Sequence, residues 1–236
     1  MTLVSAESGT GKTSLALYWS AATGLRTLYF SADSDDRTMM ERAGAMVTGH
    51  TMTTVKQMLY PEPDDDITDE LHKVDQIRFV FESDPSYNDL LLEVQAYTEA
   101  YGDFPEIIVL DNVANVAGEQ EDEYRSMRDT TRALHRLGRM THSCVIALHH
   151  VKEEDRAREL DHPPPKRAIK GKVSDFPEQI LTGRIDDESQ TTQWAPVKDR
   201  FGKSDKSGRT YVELFPDFER SRWHNSWSDR RAGIPS

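Results

Sequence analysis

Two kinds of hydrophobic spacing alternate along this chain. Short unbroken or β-branched apolar blocks read as strands, and stretches with apolar positions every three to four residues read as amphipathic helices. Residues 2–4 (TLV), 27–31 (TLYFS), 76–81 (QIRFVF), 107–110 (IIVL) and 144–148 (CVIAL) are of the first kind. Residues 14–22, 37–47, 87–101 and 121–140 are of the second. IIVL and CVIAL lack polar alternation, as expected of strands covered on both faces. Strand and helix therefore alternate through residue 148, which predicts an α/β fold. Its central sheet is mostly parallel, with helices on both faces. Three later strands, 179–185, 193–198 and 209–215, follow without helical patterns between them and predict an antiparallel C-terminal extension. Residues 50–71 centre on PEPDDD and read as an irregular, exposed insertion. Residues 161–172 form a Pro-rich, basic loop. The expected organisation is one core over 1–222 and a polar tail over 223–236, with no internal repeat.

Composition narrows the class. The length of 236 residues suits one α/β domain, and 36% hydrophobic residues suffice for a core. No apolar run reaches the length of a membrane span, and residues 1–9 (MTLVSAESG) lack the regions of a signal peptide. Cys144 is the single cysteine, so an internal disulfide and a cysteine-based zinc site are both excluded. A reducing cytoplasm is the expected setting. The net charge of −12 argues against a chain coated in nucleic acid by bulk electrostatics, although binding depends on the local field.

The central chemical signal is AESGTGKT, residues 6–13, between the first strand and the first helix. It follows the pattern G-x-x-x-x-G-K-[ST] with Ala6 in place of the first glycine. Glycines let the backbone wrap phosphate oxygens, and successive N–H groups with the helix N-terminus bind the anion. Ala6, Ser8, Gly9, Thr10, Gly11, Lys12, Thr13 and Ser14 are the expected nucleotide-binding residues. Lys12 is assigned to the β- and γ-phosphates and Thr13 to Mg²⁺. The strand IIVL ends in Asp111, a second expected Mg²⁺ ligand, because ligands of open α/β sheets lie at the carboxyl ends of strands. Neighbouring Asn112 orients a water or serves as a turn residue.

With these motifs in order, the chain resembles the RecA/DnaB-type P-loop ATPases, and specifically the motor domain of DnaB-like hexameric helicases, including short phage-encoded versions. The resemblance runs from about residue 2 to residue 223. It implies ATP and Mg²⁺ as cofactors and single-stranded or forked DNA as partner. It also implies a homo-oligomer whose sites are shared between subunits, no membrane, and a cytoplasmic location (the host cytoplasm for a phage-encoded chain). The family's second strand ends in an acid that activates the attacking water, usually Glu, and Asp33 falls there, one methylene shorter. A polar residue after the CVIAL strand senses the γ-phosphate in related proteins, which points to His149 or His150. Adjacent strand residues face opposite ways, so one of the two reaches the nucleotide. The segment KRAIKGK resembles the family's DNA-binding loop, with Lys166, Arg167, Lys170 and Lys172 as phosphate contacts. The segment VKDRFGK resembles the family's K-x-R segment, in which Lys198 and Arg200 match residues that reach a neighbouring subunit's γ-phosphate. Their alternate spacing on a strand puts both on one face. DnaB-like helicases carry upstream domains and a linker helix, whereas this chain starts at the first core strand.

Arg125, Arg128, Arg132, Arg136 and Arg139 form one stripe along the expected helix 121–140, read foremost as a solvated face, with a subunit or DNA-fork contact as the alternative. Two other functions share the same core. One is a metal-dependent nuclease for forked or flapped DNA that uses Asp111 and nearby carboxylates. The other is a non-catalytic nucleotide switch or DNA-loading factor, which the shortened acid at Asp33 permits.

Overall fold

The computed structural model describes residues 1–116, 123–151, 161–169, 173–226 and 228–229. Six strands form the parallel part of its sheet, the first five being β1 (Thr2–Ala6), β2 (Thr27–Ser31), β3 (Ile77–Val80), β4 (Ile107–Asp111) and β5 (Cys144–His150). Then come β6 (Gln179–Asp186), β7 (Thr191–Asp199), β8 (Val212–Asp217) and β9 (Arg222–His224). The order across the sheet is β3-β2-β4-β5-β1-β6-β7-β8-β9. β1 is flanked by parallel partners on both sides, β5 and β6. The first late strand thus belongs to the parallel set, and antiparallel pairing begins between β6 and β7.

Parallel neighbours need crossover connections, and the helices supply them. α1 (Lys12–Thr23), α2 (Asp36–Thr48), α5 (Tyr87–Tyr101) and α6 (Glu123–Thr141) occupy the predicted regions. Strand periodicity of two divides the core into layers. Leu3, Leu28, Phe30, Ile108 and Leu110 face Leu90, Val94, Leu134 and Leu137 of α5 and α6. Val4, Tyr29, Val109 and Leu148 face Leu15 and Leu17 of α1 and Met39 and Met46 of α2.

The expected irregular insertion at 50–71 holds two helices, α3 (Met52–Leu59) and α4 (Asp65–Leu71). Each has its own start signal. The Thr51 side chain accepts a hydrogen bond from the Thr54 amide and Asp64 from the Ile67 amide. Val55, Leu59 and Ile67 are buried with Ala45 in a third core cluster. Burial of such side chains contributes on the order of 1.5–3 kcal/mol each. Gly44 permits the approach, because a Cβ there would lie 2.7 Å from Val55 Cγ1. The region is exposed in part but is not irregular. The expected polar tail also begins inside the fold, since Trp223 on β9 is buried.

Candidate nucleotide site

β1 ends at Ala6, and the chain turns through residues 7–11 into α1. Thr10 closes this turn, its hydroxyl and amide both donating to the Glu7 carbonyl, at 3.0 and 3.4 Å. Gly9 and Gly11 lie in the left-handed region, with φ of 81° and 90°. At Gly11 the requirement is double, because a Cβ would also meet Phe218 Cε1 at 2.6 Å and Trp223 Cζ2 at 3.0 Å. Gly11 is the N-cap of α1, so no side chain caps the helix, and its first turn contains no acidic residue. The amides of that turn are therefore left to an anion, and the helix dipole favours one.

Lys12 is buried at the head of this helix. Its Nζ donates to the carbonyls of Ala6 (3.0 Å) and Glu7 (2.8 Å) and lies 3.2 Å from His150 Nδ1. Burial pushes the ammonium down to about 8, against the raising influence of Asp111, Asp33 and Glu7. It thus remains charged at neutral pH.

Asp111 ends β4, beside Ser31 at the end of β2. It is fully buried, and burial raises its carboxyl above the ordinary range, while hydrogen bonds from Thr13 and Tyr29 and the charge of Lys12 oppose that rise. Tyr29 Oη donates to Asp111 Oδ2 at 3.3 Å. The Thr13 hydroxyl and the Asp111 carboxylate are therefore neighbours, two hard oxygen donors beside the anion-binding amides. That pair fits Mg²⁺, which keeps several waters and takes one or two protein oxygens plus phosphate. No group of three or more His, Cys, Asp or Glu is placed to hold a metal ion among the described residues. Asn112 accepts from the Ala114 amide at 2.8 Å, the turn-residue alternative of its two readings.

The two histidines take opposite sides of β5, as the strand period requires. His149 is paired in register with Ser5, and its Nδ1 sits 3.1 Å from the Ser5 hydroxyl in the interior. Burial pushes its imidazole down to about 4, with the charges of His150 and Lys12 acting the same way. His150 faces the site, between Lys12 on Nδ1 and Asp33, whose Oδ2 is 3.6 Å from His150 Nε2. An Nδ1 that accepts from an ammonium leaves the proton of a neutral ring on Nε2, toward Asp33. The Asp33 amide donates to the Asp111 carbonyl at 3.2 Å, which ties the ends of β2 and β4 together. Lys12, Thr13, Asp33, Asp111 and His150 thus converge at the carboxyl ends of β1, β2, β4 and β5.

The other expected site residues lie apart from this group. β7 stops at Asp199, so Lys198 is on the strand and Arg200 follows it, instead of both alternating along one strand face. Lys198 Nζ donates to the carbonyls of Ser174 (2.9 Å) and Asp175 (3.1 Å), and Arg200 lies 4.0 Å from Glu178. Burial lowers the Lys198 ammonium, and the nearby charges of Lys166 and Arg200 lower it further. Lys166 and Arg167 form a short 3-10 turn, Lys166–Ala168. Lys170 and Lys172 lie outside the described residues. Arg128 and Arg132 of the stripe stack over Phe176, at 5.8 and 5.1 Å from its ring centre, so part of the stripe is packed and is not a plain solvated face.

Sequence reasoning missed the contribution of the β8–β9 hairpin. Trp223 Nε1 donates to the Ser14 hydroxyl at 3.2 Å, and Trp223 meets Trp194 and Phe218 edge to face. The available signal was Trp223 in the otherwise polar segment SRWHNS, where an aromatic of that size needs a packing partner.

Residues 1–156 match the AAA domain family. The chain belongs to that family. Among its relatives is the Gene 65 protein of Mycobacterium phage L5, 35% identical over 221 residues, which cover 91% of this chain and 81% of the relative. The Gene 65 protein of Mycobacterium phage D29 is 34% identical over 221 residues, which cover 91% of this chain and 94% of the relative. The AAA domain seen here is also similar in fold to a DnaB-like replicative helicase whose structure was solved for its interactions with primase. That match has a TM-score of 0.80 at 15% identity and covers 94% of this chain but 56% of the helicase chain. A second solved structure, an ATPase domain, matches at a TM-score of 0.81 and 13% identity, over 95% of this chain and 84% of that one. The architecture is accordingly that of a RecA-like P-loop ATPase, with its parallel sheet and antiparallel C-terminal strands. No helix among the described residues is long and apolar enough to cross a membrane.

Proposed function

We propose that this chain is an ATP- and Mg²⁺-dependent motor acting on single-stranded or forked DNA, assembled as a homo-oligomer with shared sites. The observation that carries the reading is the convergence of Lys12, Thr13, Asp111, Asp33 and His150 around an uncapped helix N-terminus. The fold likeness to a DnaB-like replicative helicase agrees with it.

The residues divide the work as follows. Backbone amides at 9–14 and the α1 dipole hold the phosphates. Bound Mg²⁺ would supply charge neutralisation at the phosphates. Thr13 and Asp111 are the residues that hold it. Asp33 orients the attacking water, and its partner His150 fixes the carboxylate. An ammonium has three protons to donate. Those of Lys12 go to two loop carbonyls and, in the longest of the three contacts, to His150. Engagement of a γ-phosphate by Lys12 gives up the His150 contact first, so His150 and Asp33 register whether that phosphate is present. Lys198 and Arg200 act on a neighbouring subunit's phosphate, and Lys166, Arg167, Lys170 and Lys172 contact DNA phosphates.

The test is Mg²⁺-dependent ATP hydrolysis with and without single-stranded DNA, for the native chain and for Lys12→Ala. DNA-stimulated turnover that the variant loses is the expected result. Full turnover in Lys12→Ala refutes the assignment. ATP binding without turnover in the native chain replaces the motor with a nucleotide switch.

A further inference from the structure

We infer that Phe218 supplies the surface on which the base of the bound nucleotide stacks, a specificity element for the nucleotide site proposed above. Phe218 follows β8, in the turn that leads to β9. One edge of its ring lies against Gly11, the residue that caps α1 and precedes Lys12. The ring stays 39% exposed although it is large and apolar. A triphosphate gripped by the amides at the head of α1 must carry its sugar and base out past the same helix end. Phe218 presents its aromatic surface there.

The platform is braced by its neighbours. Trp223 packs its ring edge to face with Phe218, centres 6.0 Å apart and planes at 89°, and is itself tied to Ser14 of α1. The turn is fastened to the ends of α2 and α3. Arg220 Nε donates to the Gly49 carbonyl at 3.0 Å, Arg222 Nε donates to the Met46 carbonyl at 2.8 Å, and the Met52 amide donates to the Glu219 carbonyl at 2.8 Å. Arg220 also pairs with Asp217 at 3.1 Å. A ring held this firmly gives up little freedom when a second ring lies on it.

A phenyl ring offers a π-face and no hydrogen-bonding edge, so it selects by stacking strength and reads no base pattern. ATP and GTP are therefore expected to bind alike, and pyrimidine triphosphates more weakly. The deciding experiment compares Mg²⁺–ATP with Mg²⁺–tripolyphosphate, which has the phosphates but no base, by calorimetry on the native chain, Phe218→Ala, Phe218→Trp and Lys12→Ala. Phe218→Ala is expected to weaken ATP roughly thirtyfold, the middle of the range for loss of one base–aromatic stack, and to leave tripolyphosphate unchanged. Phe218→Trp keeps the native affinity for both, and Lys12→Ala loses both. Equal weakening of ATP and tripolyphosphate in Phe218→Ala means that the ring only props the loop, and unchanged ATP affinity means that the base lies elsewhere. Either result overturns the stacking role but leaves the nucleotide site standing. If the native chain binds neither ligand, the site and the stacking role fall together.

Discussion

Burial holds the Lys12 ammonium at about 8, well below a free lysine. A phosphate partner favours the charged form, so the bound state retains the proton to higher pH. The sign follows. Below pH 8 Lys12 is charged before and after binding, and affinity does not change with pH. Above pH 8 binding must take up a proton, and affinity falls by up to about tenfold per unit. Calorimetric titration of Mg²⁺–ATP against the native chain from about pH 6.5 to 9.5 checks this, and an affinity that does not fall above pH 8 overturns it. His149 works in the acid direction. Its folded-state value of about 4 lies below the unfolded value of 6.5. Its stabilising contribution is complete above 6.5 and is lost as pH falls toward 4, on the order of 3 kcal/mol over that window. His149→Gln should flatten the fall of Tm with pH across that interval. Lys12, Thr13 and Asp111 were legible in the sequence because each belongs to a motif tied to a strand or helix end. The choice between His149 and His150 was not. It depends on which face of β5 the phosphate loop crosses, and that is a matter of register between β1 and β5.

Elements differ in how plainly they declare themselves. The four long helices and five parallel strands repeat their pattern often enough to be read directly. α3 and α4 are eight and seven residues long, and a proline-containing link separates them. Each shows only about two turns of periodicity, too few to stand out from a polar background. Thr51 and Asp64, the N-caps seen in the structure, are the residue types that could have marked the two helices. Ile67 is fully enclosed, so Ile67→Ala should cost about 2–5 kcal/mol, read as a lower urea midpoint with unchanged slope. No residue of this cluster is among those that converge at the phosphate loop, so tripolyphosphate affinity under folding conditions should be retained.

At the scale of the whole molecule, the proposed site has two halves on different parts of one sheet. The phosphate loop with its acids lies at the ends of β1, β2, β4 and β5, whereas Lys198 and Arg200 lie beside Glu178 and Asp175 at the end of β7. Separation of this kind suits a cyclic assembly, in which one copy completes the site of the next. Arg200→Ala should then keep native ATP affinity and lose most turnover. A 1:1 mixture of Lys12→Ala and Arg200→Ala chains should recover roughly a quarter of native turnover, because about one interface in four joins an intact loop to an intact arginine. Steady-state rates across a mixing series decide the matter, and no recovery at any ratio removes the shared site. The resemblance gave this division in outline. The anchoring of Lys198 on the Ser174 and Asp175 carbonyls was not legible, because backbone acceptors leave no trace in residue identity.

The bond between Trp223 and Ser14 joins residues 209 positions apart. The ribosome therefore releases the phosphate loop long before the segment that closes against it. At about 5–20 residues per second, the interval is on the order of ten seconds or more. During that time Gly11, shaped to lie beneath two aromatic rings, faces solvent or a chaperone. A motif translated well ahead of its closing hairpin is thus finished only with it, and nucleotide reaches a completed site only once the hairpin has arrived.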